Sequence, residues 1–258
     1  MTQRGLETMP ESKDYRKFLR TNLWLEMRGM RTDQQQGVPA PPVQKPYPDD
    51  ATLIDLPGPD EFDVGAGISV SEAIANRQSR RRYTDEVLTI EELAFLCWAT
   101  QGVHKVWRDG VAVRRTVPSA GARHAFETYL SVNRVKDLEP GLYRYLSIEH
   151  KLLLQYTDRG IGQRTAAACH NQGFVTRSAV TFIWTALPYR TEWRYALMTP
   201  KLVNLDAGHV CENLYLAVEA VGAGTCAIAA YNQQEMDHLL QVDGEDEFAV
   251  YVAPVGKV

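Results

Sequence analysis

Apolar and polar residues change rhythm several times along the chain, and each change marks an element. Between Lys13 and Met30, Tyr15, Phe18, Leu19 and Leu23 fall on one loose face and predict an amphipathic helix. The rhythm stops at VPAPPVQKPYPDD, where five prolines within residues 38–48 favour extended, polyproline-like chain. That stretch reads either as a disordered tail or as an arm wrapped on its own domain or a second subunit. The apolar residues of DATLIDLPGP that follow need burial.

From about residue 68 the pattern becomes mixed α and β. A short helix from Ser71 leads into NRQSRRRY, and Thr89 with Glu92 forms a T-x-x-E capping box before Leu93, Leu96 and Cys97. Phe126, Thr128, Leu130 and Val132 alternate with their neighbours as a strand does, with GLYRYL and KLLLQY as hairpin neighbours. Residues 179–187, AVTFIWTAL, have the β-branched and aromatic content of a buried strand. Leu205 to Val221 is the longest predicted helix, with Cys211, Leu214, Tyr215 and Val218 spaced for burial. Asn232 and Glu235 repeat the capping logic before Met236, and a last strand, Phe248 to Val252, runs into PVGKV. Hairpin strands interleaved with helices predict an α+β sandwich, organised as an N-terminal helix and proline-rich arm (1–67) followed by one domain (68–258). Neither GxGxxG nor GxxxxGK[ST] occurs, so dinucleotide-domain and P-loop readings lose their main support.

Composition narrows the function. At 258 residues and 45% hydrophobic content, the chain suits one large globular domain or a domain with an appended arm. A net charge of −4 gives no overall pull toward nucleic acid or an anionic membrane, although a local basic cluster can still hold a phosphate. No apolar run reaches the roughly 20 residues that span a bilayer. The N-terminus lacks a leader-like apolar core, so the cytoplasm is the expected location. Four separated cysteines, Cys97, Cys169, Cys211 and Cys226, read as structural thiols. The histidines make no HExxH pair, and His209 with Asn213 is a poor ligand set, so no metal is expected. His209, after Asp206 at the head of a buried helix, reads as a structural hydrogen-bonder.

Three segments carry candidate chemistry. In Arg77-Gln78-Ser79-Arg80-Arg81-Arg82-Tyr83, alternate residues of an extended chain put Arg77, Ser79 and Arg81 on one side. Guanidinium forks and a hydroxyl suit a phosphate, and a solvated basic edge has the same composition. Pro118-Ser119-Ala120-Gly121-Ala122 is small enough for close backbone approach to a bound group, or for a tight turn. Gly222 to Tyr231, GAGTCAIAAY, reads as backbone amides offered to a flat ring or as a close-packed helix-to-strand connection.

Taken in order and spacing, these segments resemble the nitroreductase superfamily. Its R-x-S-x-[RK]-x-[YF] element is matched by Arg77, Ser79, Arg81 and Tyr83, and its P-S-[AS]-G loop by Pro118 to Gly121. Its small-residue segment facing the flavin N5 edge is matched by Ala229 and Ala230, where many members carry an acidic residue and a glycine. PSAGARHAFETYLSV, GLYRY, LDAGHVCENLYLAVEAVGAG and the closing PVGK resemble the SagB-type branch, which includes the thiazoline/oxazoline oxidases.

The resemblance, over residues 68–258, implies an FMN-binding sandwich with a central, mostly antiparallel sheet flanked by helices, in an intertwined homodimer. By it, Arg77, Ser79 and Arg81 would bind the ribityl chain and phosphate and line the pyrimidine side, with Arg81 near the N1–O2 edge. Pro118, Ser119 and Ala120 would come from the other subunit, with Gly121 also among the cofactor-binding residues. Lys257 would complete the phosphate site, and the backbone of Ala229 and Ala230 would lie near N5. NADH or NADPH would be the electron donor, in ping-pong exchange with a small electrophile such as a nitro compound or quinone. The azoline oxidases use a lysine and tyrosine in a K-Y-G-like context before D-A-G-H. Here Trp193-Arg194-Tyr195-Ala196 precedes Asp206-Ala207-Gly208-His209. Tyr195 is kept, but Arg194, the other candidate catalytic residue, replaces the lysine and is a poor general base. Tyr195 reads either as a group that positions or protonates a substrate or as a packed aromatic beside Trp193. Three activities stay open: a reductase, a dehydrogenase tailoring a peptide or metabolite beside a peptide-modifying partner, and a flavin-binding protein without turnover.

Overall fold

A computed structural model describes residues 11–64, 67–107 and 110–258. The first ten residues, part of the stretch without a leader-like core, lie outside them. The strands are β1 (Leu53–Asp55), β2 (Val103–Trp107), β3 (Ala112–Arg115), β4 (Phe126–Val132), β5 (Gly141–Leu146), β6 (Lys151–Thr157), β7 (Val180–Ala186), β8 (Ala223–Thr225) and β9 (Phe248–Lys257). The helices are α1 (Ser12–Tyr15), α2 (Leu23–Glu26), α3 (Asp33–Gln36), α4 (Val70–Asn76), α5 (Ile90–Gln101), α6 (Ile161–Ala168), α7 (Gly173–Thr176), α8 (Tyr189–Tyr195), α9 (Thr199–Ala220) and α10 (Gln233–Leu240).

Seven strands form one sheet in the order β1-β6-β5-β4-β7-β9-β8, every neighbouring pair antiparallel, and β2 with β3 forms a separate hairpin. Helices cover both faces. Phe126, Leu130 and Val132 of β4 pack with Leu93 and Leu96 of α5 and Leu214 of α9. Tyr129 of the same strand packs with Ile161 of α6 and Met236 of α10. All seven residues of β4 are buried, so its alternation separates two covered faces rather than a dry face from a wet one. The α+β class and the antiparallel sheet flanked by helices are as the sequence predicts.

The capping signals act where they stand. Thr89 and Glu92 make both reciprocal bonds of the box, and Asn232 accepts from the amide of Glu235. Four expectations change. α9 starts at Thr199, six residues before Leu205, with Pro200 in its first turn, where a missing N–H costs nothing. β9 runs on through the PVGK segment to Lys257. β1, within the arm, joins the sheet edge against β6. The helix expected between Lys13 and Met30 is instead the short helices α1 and α2 with a 3₁₀ turn between them. Tyr15, Phe18 and Leu19 stay exposed there because the domain offers that face no apolar partner.

The proline-rich segment is docked, not free. Prolines remove amide donors but leave carbonyls, and the domain answers these carbonyls with side-chain donors. Arg115 donates to the carbonyl of Val43, Arg123 to Pro41, Arg190 to Pro42, Arg144 to Lys45 and Pro46, and the Trp193 indole to Val38. Arg115, Arg123, Arg144 and Arg190 are all buried. Glu127 pairs with Arg190 and accepts from the Lys45 amide, and Glu247 accepts from Lys45, Tyr129 and Thr185.

Candidate functional site

The arginine segment leaves α4 and lies along the end of the sheet. Ser79 bridges in parallel to Thr225 of β8, the Arg80 amide donates to the Thr225 carbonyl, and the Thr84 amide donates to that of Lys257. Tyr83 anchors this path. Its ring lies over Gly256, where a Cβ would sit 2.7 Å from the ring, and its buried hydroxyl donates to Arg80 and Pro254. Burial pushes that phenol well above its ordinary range.

Arg77 and Ser79 meet at Tyr215 of α9. The Arg77 guanidinium stands 5.5 Å from the Tyr215 ring centroid, and the Ser79 and Tyr215 hydroxyls are 3.0 Å apart. Tyr215 also accepts the amide of Ala227 at 2.9 Å, so one side chain ties the arginine segment to the small-residue segment. Nothing in the sequence singled Tyr215 out, since a tyrosine on a buried helix face reads as core. Arg81 lies over Phe174 of α7, 6.0 Å from its centroid. Arg80 pairs with Glu219, whereas Arg77 and Arg81 have no carboxylate partner among the described residues. Lys257 is engaged: its ammonium pairs with Glu92 and donates to the Val221 carbonyl at 2.6 Å.

Ile228 bonds back to Val252, and then the backbone opens. Ala229 and Ala230 are exposed, and neither amide donates a hydrogen bond within the described residues. The Ala230 carbonyl accepts from Gln172 at 3.3 Å.

A second cluster forms at the other end of α9. The Ala120 amide donates to the buried carboxylate of Asp206 at 3.1 Å, and Ser119 accepts the His124 amide at 3.0 Å. Burial raises the Asp206 carboxyl, offset by its bonds from Ser119 and Ala120. Gly121 has φ +62°, and a Cβ there would fall 2.7 Å from the Tyr195 hydroxyl and 3.1 Å from Cδ of Arg194. The PSAG loop and the Arg194-Tyr195 pair are therefore one structure, though they lie over 70 residues apart in sequence. His209, expected as a structural hydrogen-bonder, is half exposed and makes no hydrogen bond among the described residues, its Nδ1 lying 4.0 Å from Asp206. Trp24 of α2 meets the Tyr195 ring edge-on at 6.2 Å, so the N-terminal arm also reaches this cluster.

Asp206 and Tyr215 organise the two clusters from positions nine residues apart on α9, about 14 Å along its axis. Each chain thus presents an arginine–amide cluster and a PSAG–tyrosine cluster as two separate groups.

The comparisons with known proteins identify the family and the fold. Residues 74–257 match the model of the nitroreductase family. A candidate nitroreductase of Methanocaldococcus jannaschii is 30% identical over 190 residues, 74% of this chain and 91% of that one. The crystal structure of a candidate nitroreductase from Ralstonia eutropha superposes with a TM-score of 0.66 at 24% identity, covering 85% of this chain and 98% of that one. The Escherichia coli microcin synthetase McbBCD complex with truncated pro-MccB17 gives 0.59 at 16%, covering 94% and 93%. The NADPH:FMN oxidoreductase of Vibrio harveyi, complexed with NAD+, gives 0.51 at 16%, covering 73% and 68%. At these identities the solved structures establish a shared fold. The family match takes in the arginine segment, the PSAG loop and the small-residue segment together, and this chain belongs to the nitroreductase family of oxidoreductases.

Proposed function

We propose that the protein is an FMN-dependent, NAD(P)H-linked reductase of small electrophilic acceptors, working as a homodimer. The observation that carries this reading is a set of donors with nothing to donate to. The Ala229 and Ala230 amides and the Arg77 and Arg81 guanidinium groups stand exposed or half exposed at one end of the sheet without carboxylate or carbonyl acceptors among the described residues. That donor set fits a phosphate and the heteroatom edge of a flavin. When bound, FMN supplies the two-electron chemistry, and the protein supplies binding, orientation and electrostatics. The Vibrio harveyi neighbour, an NADPH:FMN oxidoreductase by name, supports the choice of cofactor and donor.

In this reading Arg77, with Ser79 held by Tyr215, grips the ribityl-phosphate end, and Arg81 lends positive charge to the pyrimidine side. Lys257 is already balanced by Glu92, so a phosphate draws on Arg77 and Arg81 first. Pro118, Ser119, Ala120 and Gly121 cover the ring from the second subunit, bringing Arg194 and Tyr195 with them. The homodimer is supported by an apolar groove of Val70, Ala73, Trp98, Leu216 and Ala220, beside the exposed Ile74. Four buried free cysteines suit a reducing compartment such as the cytoplasm. No helix among the described residues is long and apolar enough to cross a membrane.

A second reading, a SagB-type dehydrogenase acting with a peptide-modifying partner, is favoured by one observation. The fold match to the microcin synthetase complex extends over 94% of the chain, well into the N-terminal arm. Anaerobic titration of the FMN-loaded protein with NADH and NADPH separates the readings. The reductase reading expects rapid bleaching of the flavin and recovery of colour with a nitroaromatic or quinone. Failure with both nucleotides, and turnover only beside a modifying partner, overturns it in favour of the second.

A further inference from the structure

The Arg194-Tyr195 cluster carries an inference about which acceptors the site takes, and it rests on the reductase reading above. Arg194 is half buried, stacked at 5.5 Å on the ring of Tyr195 and passing over Gly121. Among the described residues it makes no ion pair and no hydrogen bond, unlike the buried Arg115, Arg123, Arg144 and Arg190, whose donors reach the proline-rich segment. The Tyr195 hydroxyl likewise has no hydrogen-bond partner among the described residues. It points at the face of Gly121, where any side chain would displace it.

Arg194 also has no carboxylate within ion-pair reach among the described residues. Its neighbour Arg123 is depressed to about 10 by burial first, then by the positive charges of Arg190 and Arg194. The nearby carboxylates are occupied or turned elsewhere: Glu127 pairs with Arg190, and Asp206 accepts the Ala120 amide. A guanidinium fork, a free phenol and the edge of Trp24 thus share one partly desolvated place, where a charge-assisted bond is stronger than in water. The backbone holds them there under strain, since Ala196, a residue with a Cβ, sits at φ +40° and ψ −117° directly after Tyr195.

We infer that Arg194 and Tyr195 form an anion-recognition site, and that the acceptors this protein prefers are flat electrophiles carrying a carboxylate. Arg194 takes the carboxylate through its fork, Tyr195 adds a hydroxyl donor, and Trp24 walls the aromatic body. Arg194 so acts on specificity, a role that does not require it to gain or lose a proton.

Two measurements on the full-length protein test this. The first compares kcat/KM for 4-nitrobenzoate and its neutral methyl ester, in the wild type, Arg194→Gln, Arg194→Lys and the exposed control Arg159→Gln. The wild type is expected to favour the anion, and Arg194→Gln to lower the anion-to-ester ratio by about tenfold or more through KM. Arg194→Lys falls between, and Arg159→Gln, with the same change in charge, keeps the wild-type ratio. The second measures benzoate against benzamide by calorimetry, with and without FMN and at rising ionic strength. Arg194-dependent, salt-sensitive benzoate binding is expected even if no flavin chemistry is found, in which case the reductase reading falls and the anion site stands. Reduction of the ester with no anion preference, or benzoate binding equal in wild type and Arg194→Gln, overturns the anion site and leaves the reductase reading intact.

Discussion

Ala196 sits in a left-handed backbone that favours glycine, and it does so with a Cβ. At φ +40° and ψ −117° an alanine costs about 1–3 kcal/mol relative to a relaxed residue. Ala196→Gly is therefore expected to raise stability by about 1 kcal/mol in urea unfolding, after subtracting the greater freedom glycine has when unfolded. The same change is expected to loosen Tyr195. His124 gives a second residue-level expectation. Burial first, then the charge of Arg115, hold its imidazole down at about 3, against about 6.5 in an unfolded chain. The stability it contributes is complete above pH 6.5 and is lost as pH falls toward 3, by up to about 1.4 kcal/mol per pH unit. His124→Asn, which tolerates the positive φ there, should flatten the pH dependence of unfolding in that window; an unchanged slope would show that His124 takes up its proton alike in the folded and unfolded chain. At this scale the sequence was informative where a motif is local. Arg77 and Ser79 were legible because alternation in an extended chain puts them on one side, while Tyr215, which joins them, looked like any core aromatic. Lys257 was legible as a cation, but its pairing with Glu92 joins residues 165 apart in sequence, and no local pattern shows it.

Among the elements, those specified by their own first turn were the ones read correctly. The capping box at Thr89 and the side-chain cap at Asn232 depend on residues three apart, so their helices stand where expected. The proline-rich segment was ambiguous because its partners lie 65 or more residues away, in buried arginines that give no periodic signal. Lys13 to Met30 failed as one helix because apolar spacing without a matching surface gains little burial, and short isolated helices are marginal. The arginine clasp makes a sharp prediction. Arg190→Met removes the partner of the buried Glu127 and a bond to Pro42 together, and should cost about 3–5 kcal/mol. It should also expose the proline segment to limited proteolysis. Arg190→Met combined with Glu127→Met should recover most of the stability yet keep the proteolytic sensitivity. If the single change unfolds no more easily than wild type, the segment is not held by this pair.

At the level of the whole molecule, one chain presents two clusters separated along α9, each with part of the donors that the proposed flavin site draws on. The antiparallel sheet and its helical cover were legible, because hairpin spacing and buried-strand composition are properties of short windows. The meeting of the PSAG loop with Arg194 and Tyr195 was not, because only the folded sheet brings residues 121 and 195 together. In the proposed homodimer, FMN is held between the arginine–amide cluster of one chain and the PSAG cluster of another. Subunit complementation tests it most directly. One variant carries Arg77→Glu with Arg81→Glu, and the other carries Gly121→Val, whose Cβ collides with Tyr195. Each alone should fold, as judged by circular dichroism, and bind no FMN. Unfolded together and refolded as mixed dimers, they should regain flavin absorbance at roughly a quarter of the wild-type occupancy, since half the dimers are mixed and each restores one of two sites. Mixed dimers that stay colourless while the wild type is yellow would place the whole site in a single chain and contradict the account. So would a wild-type protein that takes up no FMN at all.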